Sequence, residues 1–304
     1  SNSAGTSASA IHTFTTWLSG AEINPVSATS STDETYGGGN VAAGAVDVAD
    51  LNASNEHFLQ GFGSGPNWLC LDDDSWNDEW IFVDMGASYD NLLGLNIWNY
   101  IELSGLNYVS ESRAINGYEL WVADTGATLP SGESTTPFTG PNGWTQVTAG
   151  SLAIGPSGVA PASTGPTESL SLGGQTGVRY IGIKVESNHG DAFGAGLAQI
   201  QAVGAPTAPA VANAGATNVT LFTATLQGDV TAGLPAPEVT TYWGLVGDVT
   251  NVIDNSSQSA SFSNTISGLT ANTTYAFYFV ASNLVGTATS ATGTAPCSGR
   301  RTFS

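Results

Sequence analysis

The run Trp80-Ile81-Phe82-Val83-Asp84-Met85-Gly86, followed by Leu95-Asn96-Ile97-Trp98-Asn99-Tyr100, constrains this chain more than any other feature. Large apolar side chains recur at alternate positions, Asp-Met-Gly closes the first run, and neither stretch carries the stripe of an amphipathic helix. Such segments belong in a half-buried sheet, one face on a core and the other toward water. Arg179 to Val185 and Gly196 to Ile200 read the same way. Only 10% of the residues are charged and Gly, Ser, Thr, Ala and Val abound, so the class is all-β with many turns. A length of 304 residues allows about two domains, each with its own core.

Charge narrows the function. There are 25 acidic residues against 5 basic ones, a formal net of -20. Such a surface repels nucleic acid and anionic lipid and attracts divalent cations. No hydrophobic run is long enough for a membrane span, so no membrane insertion is expected. Few lysines and loops rich in Asn, Ser and Thr fit an extracellular protein, and Ser1-Asn2-Ser3-Ala4-Gly5 reads like the end left by removal of a secretory leader. Cys70 and Cys297 are too few for a disulfide scaffold; free buried thiols and a bridge between domains or subunits both stay open.

Four regions follow from the pattern. Residues 1–20 form an extension in which Ile11-His12-Thr13-Phe14-Thr15-Thr16-Trp17 alternates like an edge strand able to cross into a neighbouring subunit. Residues 21–204 read as one sandwich. Residues 205–210, Ala-Pro-Thr-Ala-Pro-Ala, read as a linker, since proline removes a donor and fixes φ. Residues 211–304 form a second, smaller sandwich.

Five pieces of the first domain occur in a telling order: Ala45-Val46-Asp47-Val48-Ala49-Asp50-Leu51-Asn52; Trp80 to Gly86; Trp98-Asn99-Tyr100-Ile101-Glu102; Arg113 with Tyr118-Glu119-Leu120-Trp121-Val122; and Ser187-Asn188-His189-Gly190-Asp191 to Ile200. Together they resemble the discoidin domain, also called the coagulation-factor C-type domain, close to the galactose-binding carbohydrate modules. The resemblance implies a jelly-roll sandwich of about eight core strands. In the second domain, Gly268-Leu269-Thr270-Ala271-Asn272-Thr273-Thr274-Tyr275 resembles the fibronectin type III pattern, with Ala271 where that pattern has proline and Tyr275 at the place of a tyrosine corner.

The discoidin resemblance also implies sites. A structural calcium would take Asp47, Asp50, Asn52 and Gln199, with the main-chain oxygens of Val46 and Ala198, because a hard cation needs oxygen ligands. Val48 replaces the family's glycine and Gln199 its glutamate, which removes a charge; a plain Asx-turn at Asp47 and Asp50 is the alternative. The acidic run 71–79 lacks the spacing of a calcium hand and reads first as a solvated loop. A sugar would meet Asn99, Glu102, Arg113, Asn188 and His189, with Tyr36, Trp68 or Trp76 as stacking platform. Arg113 paired with Glu102 or Glu111, His189 capping a turn and tryptophans in the core are the plainer readings.

Catalysis finds little support. The three histidines, His12, His57 and His189, are scattered, and no nucleophile elbow or phosphate loop occurs. The expectation is therefore a non-enzymatic extracellular protein. Assembly with copies of itself into a fibre, sheath or surface layer is favoured over a secreted carbohydrate-binding module, or over the non-catalytic part of a larger glycoside hydrolase. The two leading readings are compatible, since a polymer can also grip polysaccharide.

Overall fold

A computed structural model describes residues 20–33, 41–47, 57–58, 67–71, 79–104, 107–110, 112–154, 158–159, 163–192 and 194–297. The N-terminal strand expected before residue 20, Tyr36, Asp50, Asn52, Trp76 with the acidic run 72–78, and Arg301-Thr302-Phe303-Ser304, which reads in the sequence as the last strand of the second domain, lie outside these residues. Among the described residues there are strands and two short 3-10 turns, Ala42–Val46 and Gly140–Asn142, but no α-helix. The chain divides into two units, one built on Ile23–Val203 and the other on Gly20–Glu22 together with the chain from Gly204 onward.

In the first unit one five-stranded antiparallel sheet runs in the order Trp144–Ser151, Gly117–Ala123, Val178–Val185, Trp80–Tyr89, Ser27–Ser30. A second five-stranded sheet is centred on Gly194–Gly204 and Leu92–Asn99, with Glu168–Ser171 pairing the latter and both Trp68–Leu71 and Ala21–Ile23 pairing the former. This is a β-sandwich. In the first sheet Ile181 stands opposite both Val83 and Val122, and Ile183 opposite both Ile81 and Leu120. These side chains share one face and all are buried.

Two expectations for the opening strand need correction. It does not stop at Asp-Met-Gly: it runs to Tyr89 through a kink at Gly86, whose φ of 75° suits glycine. Nor is it half-buried. Trp80 and Phe82, on the face opposite Ile81 and Val83, are also buried, because the segment 124–143 folds back over them and inserts Phe138. Trp121, Trp144 and Tyr180 complete that second, aromatic core.

The expected linker is mostly strand. Gly194–Gly204 ends and Thr207–Thr217 begins with only Ala205 and Pro206 between them. Pro209 is tolerated because Thr207–Thr217 lies at a sheet margin and its register is irregular between Thr207 and Ala210, so the missing N–H breaks no regular ladder.

The second unit is an immunoglobulin-like sandwich of the fibronectin type III kind. Thr207–Thr217, Thr223–Leu234 and Ser261–Ser267 make one sheet. Asp248–Ser257, Glu238–Leu245, Thr273–Asn283 and Gly286–Thr289 make the other, with Gly293–Cys297 also pairing Thr273–Asn283. Leu226, Val239, Ile266, Phe277, Phe279, Ala281 and Cys297 form its core, with half-buried Trp243 packed against it. The Tyr275 hydroxyl accepts the Thr270 N–H at 3.0 Å, which is the tyrosine corner anticipated from the sequence. Thr241, Asn255 and Asn264 close a ring of side-chain hydrogen bonds of 2.6, 2.7 and 2.8 Å joining strands of both sheets.

Candidate functional site

The loops expected to hold a sugar do converge, but their polar groups serve the protein. Asn99 is fully buried at the end of its strand. Its Nδ2 donates to the carbonyls of Ile115 at 2.8 Å and Ala153 at 3.0 Å. Its Oδ1 accepts the N–H groups of Tyr100 and Ile115, both at 3.0 Å. Two donors and two lone pairs are the amide's whole capacity, so nothing remains for a hydroxyl. Asn99 as a sugar contact is therefore corrected: it satisfies backbone groups that burial would otherwise orphan.

Asn188 is similarly committed. Its Nδ2 donates to the Asp191 and Gly194 carbonyls at 2.9 and 2.7 Å, and its Oδ1 accepts Gly190 N–H at 2.9 Å. His189 donates its Nε2 proton to Leu152 O at 2.9 Å and its main-chain N–H to Ala114 O at 3.1 Å, which is the turn-capping role. Arg113 faces Asp191, Nε to Oδ2 3.5 Å; Glu111 and the side chain of Glu102, the partners the sequence offered, lie outside what is described. Asp191, which the sequence did not single out, is the organiser here: its Oδ1 also accepts Gly194 N–H at 3.1 Å. Its place in Asn-His-Gly-Asp, a run of turn residues, was the available signal. Glu102 lies in the strand Ile101–Ser104, opposite Val109.

Of the stacking platforms, Trp68 is corrected to core: it is fully buried and its Nε1 donates to Thr32 O at 3.0 Å. The six-ring cluster around Phe138 is closed over by its own loop.

For a cation, Val46 ends the 3-10 turn and Asp47 follows it, exposed. Ala198 and Gln199 are buried in the strand Gly194–Gly204. Both polar atoms of the Gln199 carboxamide are buried without a hydrogen-bond partner among the described residues. A buried amide left so is costly, and an oxygen ligand with its partner missing is one way to account for it. No group of three or more His, Cys, Asp or Glu side chains gathers among the described residues.

A different polar site surrounds Cys70. Glu79, buried, accepts hydrogen bonds from the Ser31 and Thr32 hydroxyls. The Cys70 thiol donates to Ala195 O at 3.1 Å. Burial, and then the charge of Glu79, push its pKa well above the ordinary thiol value. Cys70 and Cys297 are both free and buried.

The second unit exposes the strand Asp248–Ser257 at the margin of its larger sheet. Next to it the rings of Tyr242 and Tyr278 stack, 5.1 Å apart and 12° from parallel. On the other sheet an open groove of about 310 Å³ is lined by Gln227, Asp229, Ser261 and Phe262.

The class these features define is an all-β protein of two sandwich units. No protein-family model matches the chain, and no curated protein sequence matches it. Among solved structures, the sensor domain of the anti-sigma factor RsgI4 of Pseudobacteroides cellulosolvens is 21% identical, covers 30% of this chain and 94% of its own, and has a TM-score of 0.24. A segment of two fibronectin type III domains of chicken tenascin is 11% identical, with coverages of 75% and 97% and a TM-score of 0.23. The CNTN1 FN1-FN3 domains of chicken are 11% identical, with coverages of 60% and 56% and a TM-score of 0.23. The likeness is to the all-β sandwich alone.

Proposed function

We propose that this chain is a non-enzymatic extracellular protein that assembles with copies of itself, through exposed strand edges, into a fibre, sheath or surface layer. One observation carries the reading: a ten-residue strand, Asp248–Ser257, stands at a sheet margin with neither lysine nor proline to blunt it. Unpaired main-chain groups along such an edge are a template for another strand. Polysaccharide binding at the first unit is the weaker reading, because Asn99 and Asn188 spend their amides on backbone.

The discoidin kinship of the first unit is part of the proposal, supported by its two five-stranded sheets and by the order of its sequence motifs. So is a structural calcium, which Asp47, Asp50, Asn52 and Gln199 would hold with the main-chain oxygens of Val46 and Ala198. The Gln199 carboxamide, buried with no hydrogen-bond partner among the described residues, supports it. Its role would be to tie the loop after Val46 to the buried strand.

Light scattering and electron microscopy of the full chain test the reading. Particle mass should rise with concentration, and regular polymers should be visible. A chain that stays monomeric at every concentration would reject it.

A further inference from the structure

The three-stranded sheet of the second unit turns one face to its core and the other to solvent. Along Thr223–Leu234 the side chains of Ala224, Leu226 and Val230 are buried in that core, so Thr223, Thr225, Gln227 and Asp229 point outward. Ser261–Ser267 pairs this strand with no shift of register. Two rungs of the outward face are hydroxyl against hydroxyl: Thr223 stands opposite Ser267 and Thr225 opposite Thr265. The next two add an amide and a carboxylate, with Gln227 opposite Ser263 and Asp229 opposite Ser261. The rungs cover six residues (223 to 229), a strip ~20 Å long.

Each end of the strip carries a further feature. At the Asp229 end lies the open groove of about 310 Å³, between the two polar rungs and the exposed Ala214 of the third strand. At the other end Phe222, 58% exposed, directly precedes the first rung.

The polar groups in the groove are not spent on the protein as those of Asn99 and Asn188 are. Among the described residues the Gln227 amide and the Ser263 hydroxyl make no hydrogen bond, and Asp229 accepts one, from the Ser261 hydroxyl to Oδ1 at 3.1 Å. A carboxylate with an oxygen to spare, a free amide and a row of hydroxyls supply donors and acceptors together, as neighbouring sugar hydroxyls require. An exposed aromatic ring offers a surface to the apolar side of a sugar ring. The length from groove to Phe222 suits a polymer better than a single sugar.

Charge selects among polymers. Asp229 is the one ionisable group on the four rungs, and the chain's net charge is -20, so an anionic polymer is repelled. A hard cation takes about six to eight oxygen ligands, and a single carboxylate in an open groove does not enclose one.

We infer that this face of the second unit binds an uncharged polysaccharide laid along the strands, its hydroxyls on Gln227 and Asp229 and a sugar ring against Phe222. The site is independent of the edge proposed for assembly, since Asp248–Ser257 belongs to the other sheet.

Surface plasmon resonance with the full chain immobilised tests the inference whether or not the chain assembles. Hydroxyethylcellulose, galactomannan, arabinoxylan and soluble starch are passed over it, with polygalacturonate as the charged comparison. At least one uncharged polymer should bind, and polygalacturonate should not. Asp229→Ala, Gln227→Ala and Phe222→Ala should each weaken that binding about tenfold, and circular dichroism checks that each variant folds. Three results overturn the inference: no response to any of the uncharged polymers, a response to polygalacturonate as strong as theirs, or binding that all three variants leave unchanged.

Discussion

Phe138 lies over Gly182 so closely that a Cβ at Gly182 would come within 2.6 Å of the phenyl ring. Gly182 stands opposite Phe82 and Trp121 in adjoining strands, so its missing side chain leaves a hole in an aromatic floor. Phe138 fills the hole, its centroid 4.5 Å from Trp144, 6.0 Å from Trp80 and 6.3 Å from Trp121. Phe138→Ala should lower stability by about 3 kcal/mol, as for other buried aromatics. Gly182→Ala should destabilise by overpacking. In the double variant the costs should fall short of additive, because the alanine methyl then enters space the ring has left. Urea unfolding of the four proteins measures this; strict additivity would mean the two residues do not share the hole.

The tyrosine corner gives a prediction confined to the second unit. Tyr275→Phe removes the acceptor of the Thr270 N–H while keeping the ring's packing. A single net hydrogen bond is worth about 1 kcal/mol. For a unit of this size that lowers its melting temperature by about 4–8 °C. Scanning calorimetry should show one transition moving and that of the first unit unmoved.

What the sequence disclosed depended on how local the cause was. Alternation placed the strand at Trp80, and the spacing from Leu269 to Tyr275 placed the corner, since both are settled within a few residues. Burial of both faces at Trp80 was hidden because the covering ring, Phe138, arrives from a segment that reads as loop. Pro206 and Pro209 read as a linker, since single-chain reasoning cannot tell an edge strand from a break. At the candidate sugar site Asn99, Asn188 and His189 do meet around Ala114 and Ile115, but Asn99 and Asn188 carry the same amide for binding a hydroxyl as for stitching a loop. Only the partners' positions distinguish the two uses.

Asn99→Ala should therefore act on stability. It would orphan the N–H and C=O of Ile115, the C=O of Ala153 and the N–H of Tyr100 where little water reaches. A loss of about 3 kcal/mol or more is expected in chemical denaturation. Glycan-array binding lost at unchanged stability would restore Asn99 to a sugar site.

The two thiols should be silent in the folded chain. Burial raises both, and the charge of Glu79 acts further on Cys70. The thiolate, the reactive form, is thus scarce at neutral pH as well as shielded. A disulfide-exchange reagent at pH 8 should titrate no thiol in native protein and both in denaturant. A fast-reacting thiol in the native chain would contradict the buried placement of Cys70 and Cys297.

Asp84 and Arg179 should give the first unit an acid-labile element. The guanidinium meets the carboxylate with two hydrogen bonds of 3.0 Å, and Gly86 N–H adds a third at 2.7 Å. The Arg179 hydrogen bonds above all hold the Asp84 pKa below the usual carboxylate range. The unfolded chain therefore binds this proton more readily than the folded one, so stability from Asp84 is fully present above about pH 5 and drains away as pH falls through about 4 and below. The raw acid profile hides this, because with a net charge of -20 protonation elsewhere relieves repulsion and pushes the other way. Asp84→Asn cancels that background. The stability difference between the unaltered chain and Asp84→Asn should be largest near pH 6 and shrink steadily toward pH 2. A difference independent of pH would show that Asp84 acts there by packing, with its charge contributing nothing.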